Sequence, residues 1–133
     1  MRGRQFQDKK FYIIKINPIN MKDKIEYSDF EKVDIRVGEV LDVKPFPEGK
    51  YSTHILEINL GEELGKKKSL AKLAPNYQGK ELIGKQVVCV VNFHPKQIGK
   101  HTSEVLTLGF PDENKNVVLI QPERKIPIGG KLY

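Results

Sequence analysis

The apolar residues of this chain fall into short runs with the spacing of β-strands. Residues 87–91, VVCVV, form an uninterrupted apolar run between polar neighbours, which predicts a central strand buried on both faces. Residues 33–43 alternate instead, and one face of this second predicted strand consists of Val33, Ile35, Val37, Leu41 and Val43. Gly38 interrupts the alternation and predicts either a β-bulge or the sharp coil at a barrel corner.

The remaining strands predicted by the same criteria are residues 54–60, 66–73, 104–108 and 117–120. Ser28 and Glu31 have the spacing of a capping box and predict a short helix, and residues 80–83 predict a single helical turn. Glycine and proline mark turns at residues 45–49 and 61–65. Short strands with turns about every ten residues, and one helical turn between the third and fourth strands, predict an all-β protein. The expected architecture is a five-stranded Greek-key barrel of the OB type with short helices.

The length of 133 residues suits a single domain. We predict a basic N-terminal extension at residues 1–20 and an OB-fold domain at residues 21–133. Residues 126–133 are apolar enough to need cover from the barrel or from a second subunit. No apolar stretch approaches the roughly 20 residues of a membrane span. The single cysteine, Cys89, allows no intrachain disulfide, and we expect a cytoplasmic protein with no membrane association.

Positive charge is concentrated in the middle of the chain. Residues 66–100 contain eight lysines and one glutamate, whereas acidic residues outnumber basic ones in residues 21–65. Such a block suits a polyanion, whose affinity rises with each phosphate that is neutralised. A lysine-covered surface that only keeps the protein soluble is the alternative interpretation.

Patterns typical of catalysis are missing from the sequence. His54, His94 and His101 occur without a second cysteine, an HExxH motif or a paired CxxC, so no metal site is predicted. Ser103 lacks the flanking glycines of a hydrolase nucleophile, and there is no glycine-rich phosphate loop. We therefore expect a binding protein without enzymatic activity, metal or cofactor.

Nucleic acid is the ligand that the pattern favours. In OB folds, oligonucleotides bind on the face of strands two and three and on the adjacent loops. Here that face would be bordered by Lys66, Lys67, Lys68 and Lys72, and by Lys96, Lys100 and His101 from the polar loop 92–103. Phe93 and Tyr77 are candidates for base stacking, with core packing as the alternative for each. Asn92 could contact a base edge or cap the local backbone.

Several separated motifs also carry a resemblance to a known family. They are Asp34-Ile35-Arg36-Val37-Gly38, the segment 61–69 with its two glycines, Lys85-Gln86-Val87, Asn92-Phe93-x-Pro95-Lys96-Gln97-Ile98 and Ser103-Glu104-Val105-Leu106. Together they resemble the small tRNA-binding-domain family, and in particular its CsaA-type branch. The family also includes the C-terminal domain of some methionyl-tRNA synthetases. The resemblance runs from about residue 30 to residue 133.

The resemblance implies an OB barrel that binds tRNA by shape and backbone. It places the tRNA-facing residues at Asn92, Pro95, Lys96 and Ser103, with Arg36 in the first strand. It also implies a homodimer formed by N- and C-terminal segments, which here contain Phe30, Ile126, Ile128 and Leu132. For the CsaA-type branch it implies an export-related chaperone activity toward unfolded or pre-secretory polypeptides.

Two departures from the family pattern concern the same loop. His94 replaces a second proline, and Gly99-Lys100-His101 replaces a more apolar stretch. Two alternatives to the tRNA-binding hypothesis remain: a peptide-binding chaperone without a physiological role in tRNA binding, and an accessory module of an aminoacyl-tRNA synthetase.

Overall fold

A computed structural model of the protein describes residues 20–133. The chain divides into two compact units, with the division after Phe30. The predicted N-terminal extension, residues 1–20, lies outside the described residues except for Asn20, so that domain boundary stays a prediction. No helix in the described part of the chain is long and apolar enough to cross a membrane.

The first unit contains most of a short helix, α1, at Tyr27–Glu31. The predicted capping box at Ser28 is wrong, because Ser28 lies inside the helix. The carboxylate of Asp29 instead accepts a hydrogen bond of 3.1 Å from the Glu26 amide, which has no partner within the helix. The rings of Tyr27 and Phe30 pack against each other with centroids 6.2 Å apart, and both remain exposed.

The second unit, Glu31–Tyr133, contains nine strands and one short 3₁₀ helix. The strands are β1 (Ile35–Pro45), β2 (His54–Asn59), β3 (Lys66–Ala71), β4 (Gln86–Val90), β5 (Lys96–Ile98), β6 (His101–Ser103), β7 (Leu106–Thr107), β8 (Gly109–Pro111) and β9 (Val117–Leu119). The 3₁₀ helix, Lys80–Leu82, lies where a helical turn was predicted.

Five of these strands form one antiparallel sheet in the order β3-β2-β1-β4-β7. The sheet curls until its two edges meet. There the Glu104 amide donates a 2.8 Å hydrogen bond to the Lys68 carbonyl, and the Ser69 and Thr107 hydroxyls lie 2.7 Å apart. The barrel is thereby nearly closed, and the prediction of an all-β OB fold is confirmed.

The barrel interior holds one cluster of buried apolar side chains. Its members are Val40, Val43, Leu56, Ile58, Leu60, Leu73, Leu82, Val87, Cys89, Val105 and Leu119. Strand β4, the predicted central strand, contributes Val87 and Cys89, which are fully buried. Burial raises the pKa of the Cys89 thiol to about 11, so this side chain stays protonated and packs as a small hydrophobe.

The bulge in β1 lies three residues later than predicted. The pairing of β1 with β2 shifts register between Val40 and Asp42, which makes Leu41 the extra residue. An extra residue reverses the alternation of faces, so Val40 and Val43 both point into the core. Of the predicted face, only Val43 lies in the core. The prediction is wrong for Leu41 and for the residues before the bulge, because Val37 lies on the outer face of the barrel opposite Val88, Ile35 lines a groove on that face, and Val33 is 38% exposed.

Gly38 has a packing role instead. A Cβ at this position would overlap the Ile58 side chain and lie 2.8 Å from Leu60 Cδ2. Both neighbours are fully buried core residues that cannot move away without leaving a void. Only glycine therefore allows β1 and β2 to approach this closely.

The C-terminal tail covers the free edge of β1. Strand β2 pairs with the second half of β1, and the tail pairs with the first half. The Val37 amide donates to the Gly130 carbonyl at 3.0 Å, and the Leu132 amide donates to the Ile35 carbonyl at 2.8 Å. The barrel thus provides backbone partners for the tail. Of the two alternatives given above for covering the tail, the barrel or a second subunit, the barrel supplies at least this contact.

The predicted polar loop 92–103 is wrong in its second half, because β5 and β6 form a hairpin there. The hairpin turns at Gly99, whose φ of 62° is in the left-handed region, and Lys100. The predicted strand 104–108 shrinks to Leu106–Thr107, since Glu104 and Val105 cross over to bond the Lys68 carbonyl. Each strand of the hairpin has only three residues, none of them fully buried, and Ile98 is its single apolar side chain, so no alternation could indicate a strand.

Arg36 is buried and bonded to two carboxylates. Its guanidinium donates to both oxygens of Asp34, at 2.9 and 3.2 Å, and to the Glu63 carboxylate at 2.8 Å. The hydrogen bonds from Arg36 lower the pKa values of Asp34 and of the exposed Glu63. This ion-pair cluster ties the start of β1 to the turn between β2 and β3.

We expect the Arg36 cluster to make the free energy of unfolding fall as the pH is lowered into the acidic range. A carboxyl group whose pKa is lowered by folding stabilises the native state above its unfolded value of about 4, and that contribution disappears as pH falls through the lowered value. Asp34→Asn should lower stability at neutral pH by about 1–3 kcal/mol, because it removes the paired acceptor of a buried guanidinium. The variant should also lose stability less steeply than the wild type below about pH 4.

Urea unfolding of both proteins at pH 3 to 7 measures this effect. Glu63→Gln is the control, because its carboxylate is 75% exposed and should contribute little. Parallel stability curves for wild type and Asp34→Asn below neutral pH would contradict the assignment.

Candidate nucleic-acid interface

The β5–β6 hairpin and the edge of β3 enclose a groove of about 470 Å³, which we call the hairpin groove. Its lining consists of Ser52, Leu70, Phe93, His94, Lys96, Ile98, Ser103, Glu104, Val105 and Leu106. Three residues predicted from the sequence, Phe93, Lys96 and Ser103, are therefore brought together here. The residues that the sequence did not indicate are mostly apolar.

Ser103 and Glu104 attach the hairpin to β3. The Ser103 hydroxyl accepts a 3.1 Å hydrogen bond from the Leu70 amide and donates to the Val105 carbonyl at 3.3 Å. The Glu104 carboxylate accepts a 2.9 Å hydrogen bond from the Lys68 amide. The hydrogen-bonding groups of Ser103 thus position the groove wall, and its hydroxyl already has two protein partners.

Asn92 fixes the other end of the segment that leads into the groove. Its side-chain oxygen accepts a 2.9 Å hydrogen bond from the Asp34 amide, and its side-chain nitrogen donates to the Lys32 carbonyl at 2.7 Å. Of the two alternatives for Asn92, backbone capping describes these contacts. The Asn92 side chain thus anchors the segment just after β4, and Phe93 is the next residue in that segment.

Residues 93–95 present exposed groups at the mouth of the groove. The Phe93 side chain is 55% exposed, which is unusual for a phenylalanine next to a buried strand. Within residues 20–133, the backbone amides of Phe93 and His94 have no hydrogen-bond acceptor. Pro95 is exposed and offers no amide. The segment therefore combines an aromatic ring with two available donors.

The hairpin cations differ in their surroundings. Lys96 lines the groove and is exposed, and Lys100 is exposed at the hairpin turn. His101 is half-buried, and its ring packs edge-on against Phe46 with centroids 5.3 Å apart. His101 thus holds the hairpin against the turn after β1.

The lysines of β3 alternate between two faces. Lys66 and Lys68 pair with Asn59 and Glu57 on the outer face, whereas Lys67 pairs with the core residue Ile58. The ammonium of Lys67 lies 4.0 Å from the Glu104 carboxylate. The three consecutive lysines therefore do not form one cationic surface.

An acidic residue, Glu57, also occupies the outer face of β2 and β3, the surface predicted to bind nucleic acid. Glu57 stands directly opposite Asp42 across the β1–β2 pairing and next to Lys68 on the other side. Lys72, just after β3, is exposed. The hairpin groove contains one acidic residue as well, Glu104, but its carboxylate is engaged by the Lys68 amide and the Lys67 ammonium. Lys96 in the groove lining and Lys100 at the hairpin turn form no ion pair within residues 20–133, which makes the groove the better candidate site.

Two further predicted residues are engaged within the protein. The guanidinium of Arg36 is occupied by Asp34 and Glu63, as described above. The Tyr77 hydroxyl accepts a 3.0 Å hydrogen bond from the Leu119 amide, and its ring packs against the core. The core-packing alternative thus describes Tyr77, whereas Phe93 is exposed at a groove.

A second groove, which we call the tail groove, lies beside the C-terminal tail and has a volume of about 550 Å³. Its apolar lining includes Ile35, Val37, Val88, Leu108, Ile120, Ile126 and Leu132. Two of the predicted dimer residues, Ile126 and Leu132, are therefore in this lining. The side-chain amide of the buried Gln86 fixes the backbone of Ile126. Its nitrogen donates to the Ile126 carbonyl at 2.6 Å, and its oxygen accepts from the Ile126 N–H at 3.1 Å.

The other predicted dimer residues lie elsewhere. Ile128 is half-buried beside Gly61, and Phe30 is 40% exposed in the first unit. Leu132 is 52% exposed, so the tail groove keeps an open apolar side. Among residues 20–133 there is no group of three or more histidine, cysteine, aspartate or glutamate side chains that could hold a metal ion.

The groove residues that the sequence did not indicate carry only weak signals. Ser52, Leu70 and Ile98 come from three separate parts of the chain, and they meet only because β2 pairs with β3 and the hairpin is attached to β3. Leu106 follows the buried Val105 directly, and two adjacent strand residues must point to opposite faces. The exposed position of Leu106 could have been inferred from that rule.

Comparison with known proteins places the same region within a family. Residues 35–131 match the family described as "Putative tRNA binding domain". The matched range spans the barrel, the hairpin groove and most of the C-terminal tail.

The curated relatives include methionine–tRNA ligase from Nanoarchaeum equitans, which is 37% identical over 108 residues. That alignment covers 81% of this chain but only 13% of the ligase. The chain thus spans a small part of the length of this relative.

Two solved structures match this chain over their own full length. The chaperone CsaA from Bacillus anthracis is 39% identical, with a TM-score of 0.77, and the match covers 84% of this chain and 100% of that one. The CsaA chaperone protein from Picrophilus torridus is 41% identical, also with a TM-score of 0.77, over 83% of this chain and 100% of that one. The family match and these identities together establish that the chain belongs to the tRNA-binding-domain family, with CsaA-type proteins among its relatives.

Proposed function

We propose that this protein binds tRNA at the hairpin groove, by shape and backbone, in the manner of a CsaA-type protein. The observation that carries the proposal is the family match over residues 35–131, which includes every residue of the groove. Folded RNA is recognised mainly through its backbone and its unpaired regions. The protein acts by binding and catalyses no reaction of its own, and we place it in the cytoplasm.

The charges around the groove suit this role. Lys96 and Lys100 are exposed and form no ion pair within the described chain, so both are available to phosphates. Lys72 is exposed as well and adds a third candidate contact. Each lysine that neutralises a phosphate releases a counterion and makes binding more sensitive to salt.

The mixed face of β2 and β3 has a smaller part in the proposal. Lys66 and Lys68 stand beside Glu57, whose carboxylate reduces their attraction for phosphate. No phosphate is assigned to Arg36, Asn92, Ser103, Tyr77 and His101. Asn92, Ser103 and His101 hold the segments around the groove, whereas Arg36 and Tyr77 are engaged in the fold away from it. Pro95 shapes the segment that carries Phe93.

An accessory module of an aminoacyl-tRNA synthetase is the alternative that the relatives suggest. This chain corresponds to about one-eighth of the Nanoarchaeum equitans ligase. Copurification from cell extract distinguishes the two, because an accessory module would recover a synthetase in stoichiometric amount.

We expect substitution of the hairpin lysines to weaken tRNA binding and to reduce its salt dependence. Lys96→Gln and Lys100→Gln should each flatten the plot of log affinity against log salt by about one unit. Fluorescence anisotropy with labelled tRNA between about 50 and 200 mM salt measures both quantities. Lys80→Gln is the matched control, because it removes the same charge from an exposed position on the 3₁₀ helix.

If the wild type and the three variants gave equal slopes in this plot, the phosphate contacts would have to lie elsewhere on the protein. Wild-type binding that ignores ionic strength would contradict the electrostatic part of the proposal.

We further propose that two copies of the chain associate through the tail groove. The groove is apolar, and Leu132 at its rim is half exposed, so a monomer leaves this surface in water. A two-fold contact would bury the same groove on both copies. Ile128 and Phe30 are expected near this interface from the family resemblance.

We expect Leu132→Glu to produce monomers at concentrations at which the wild type is a dimer, because it would place a charge in a desolvated apolar contact. Sedimentation equilibrium measures the association constant. Val118→Glu is the control, since Val118 is 47% exposed on β9 and outside the tail groove. Identical association of Leu132→Glu and wild type would locate the interface elsewhere.

A second candidate function is binding of unfolded or pre-secretory polypeptides. The observation in its favour is the open apolar tail groove, together with the similarity to two proteins described as chaperones. Extended apolar segments of a client chain would fit this surface in the monomer, in competition with the dimer contact proposed above, because both use the same groove. In the strongest form of this alternative, peptide binding is physiological and tRNA binding is not.

We expect the protein to reduce the aggregation of a heat-denatured test protein, and an excess of tRNA to leave this activity unchanged. The reason is that the linings of the two grooves have no residue in common. Light scattering with and without tRNA measures the effect. Loss of the activity on adding tRNA would instead indicate one shared surface, and no activity at all would remove the chaperone function.

A further inference from the structure

We propose that the hairpin groove binds a single unpaired base of the RNA, displaced from its stack. The inference rests on the proposed function, because it names the part of the RNA that the same groove would accept. It also distinguishes this groove from a surface that contacts only duplex backbone.

The walls of the groove suit a base better than a phosphate. Leu70, Ile98, Val105 and Leu106 provide apolar surface, and Leu70 and Val105 are more than nine-tenths buried. A phosphate would lose its hydration against such a surface without gaining a partner. A base has an apolar face that gains from the same contact.

Phe93 supplies the stacking surface at the mouth. Its ring is 55% exposed, although it follows a strand that is buried along most of its length. A phenylalanine that served the core would be covered, as Phe46 is at 4% exposure. Exposed aromatic side chains close to basic residues are the usual platforms for unpaired bases.

The polar groups at the mouth match the rest of a nucleotide. The Phe93 and His94 amides are donors without acceptors in the described chain, and the Lys96 ammonium lies in the same lining. The amides can bond a base carbonyl or a phosphate oxygen, and Lys96 can neutralise the phosphate. The lining thus combines hydrogen-bond donors and a positive charge with apolar surface, which are the features that a nucleotide needs.

A duplex does not fit this distribution. Paired bases keep their faces stacked on each other, so a duplex offers phosphates and hydroxyls to the protein. Those groups could reach Lys96 and Lys100 but would leave the apolar interior unfilled. The volume of about 470 Å³ is in the range of pockets that enclose small ligands.

The test compares two RNA hairpins that differ by one bulged nucleotide. The bulged nucleotide is 2-aminopurine, whose fluorescence falls when it stacks on an aromatic ring. In the second hairpin the opposite strand has a partner base, so the 2-aminopurine is base-paired. We expect the wild type to bind the bulged hairpin about ten-fold or more tightly and to quench its fluorescence. Phe93→Ala should lose both the preference and the quenching while keeping the salt dependence.

Two further variants keep the result interpretable. Phe93→Trp should retain the preference, because indole stacks at least as well, which separates stacking from loss of fold. Phe110→Ala should behave as the wild type, since Phe110 is 67% exposed but on β8, outside the groove.

Each contrary result has one meaning. Equal affinity of the wild type for both hairpins, or an unchanged preference in Phe93→Ala, would overturn the inference and leave tRNA binding intact. No binding of tRNA or of either hairpin would overturn the proposed function as well. If Phe93→Ala impairs binding of an apolar peptide but of no RNA, the groove is a peptide site and the inference is wrong.

Discussion

A reciprocal pair of hydrogen bonds between Lys68 and Glu104 connects the fold to the site. The Glu104 amide donates to the Lys68 carbonyl at 2.8 Å, and the Lys68 amide donates to the Glu104 carboxylate at 2.9 Å. The first bond closes the barrel, because it joins β3 to the segment before β7. The second bond holds the end of the hairpin against β3. A hydrogen bond of this kind contributes only about 1 kcal/mol, but these two determine where the groove forms.

The strands, the barrel and most of the core followed from the sequence, because their apolar residues are buried on defined faces. The errors occur where the pattern depends on partners distant in the chain. The bulge at Leu41 rather than Gly38 depends on the register with β2, which the residues of β1 alone do not specify. The β5–β6 hairpin has strands of three residues with Ile98 as their only apolar side chain, which is too little for an alternating pattern to appear.

The candidate site was predicted less well than the fold, for electrostatic reasons. The net charge of a segment adds all its residues together as if they shared one surface. A strand turns alternate residues to opposite faces, however, which separates Lys67 from Lys66 and Lys68. The sequence also places Glu63 27 positions from Arg36 and cannot reveal that the two are paired. The number of lysines in a segment therefore overestimates the charge available to a ligand, and the residues around the hairpin provide a better measure.

The separation of the two grooves has a consequence for affinity. A dimer formed through the tail groove would use no residue of the hairpin groove, so each copy would keep its own RNA site. Two linked sites that reach the same RNA bind far more tightly than one, because the second contact forms at a high effective concentration. A site with few free lysines can then bind tRNA well without a large cationic surface. In this arrangement, dimerisation would compensate for the acidic residue on the outer face of β2 and β3.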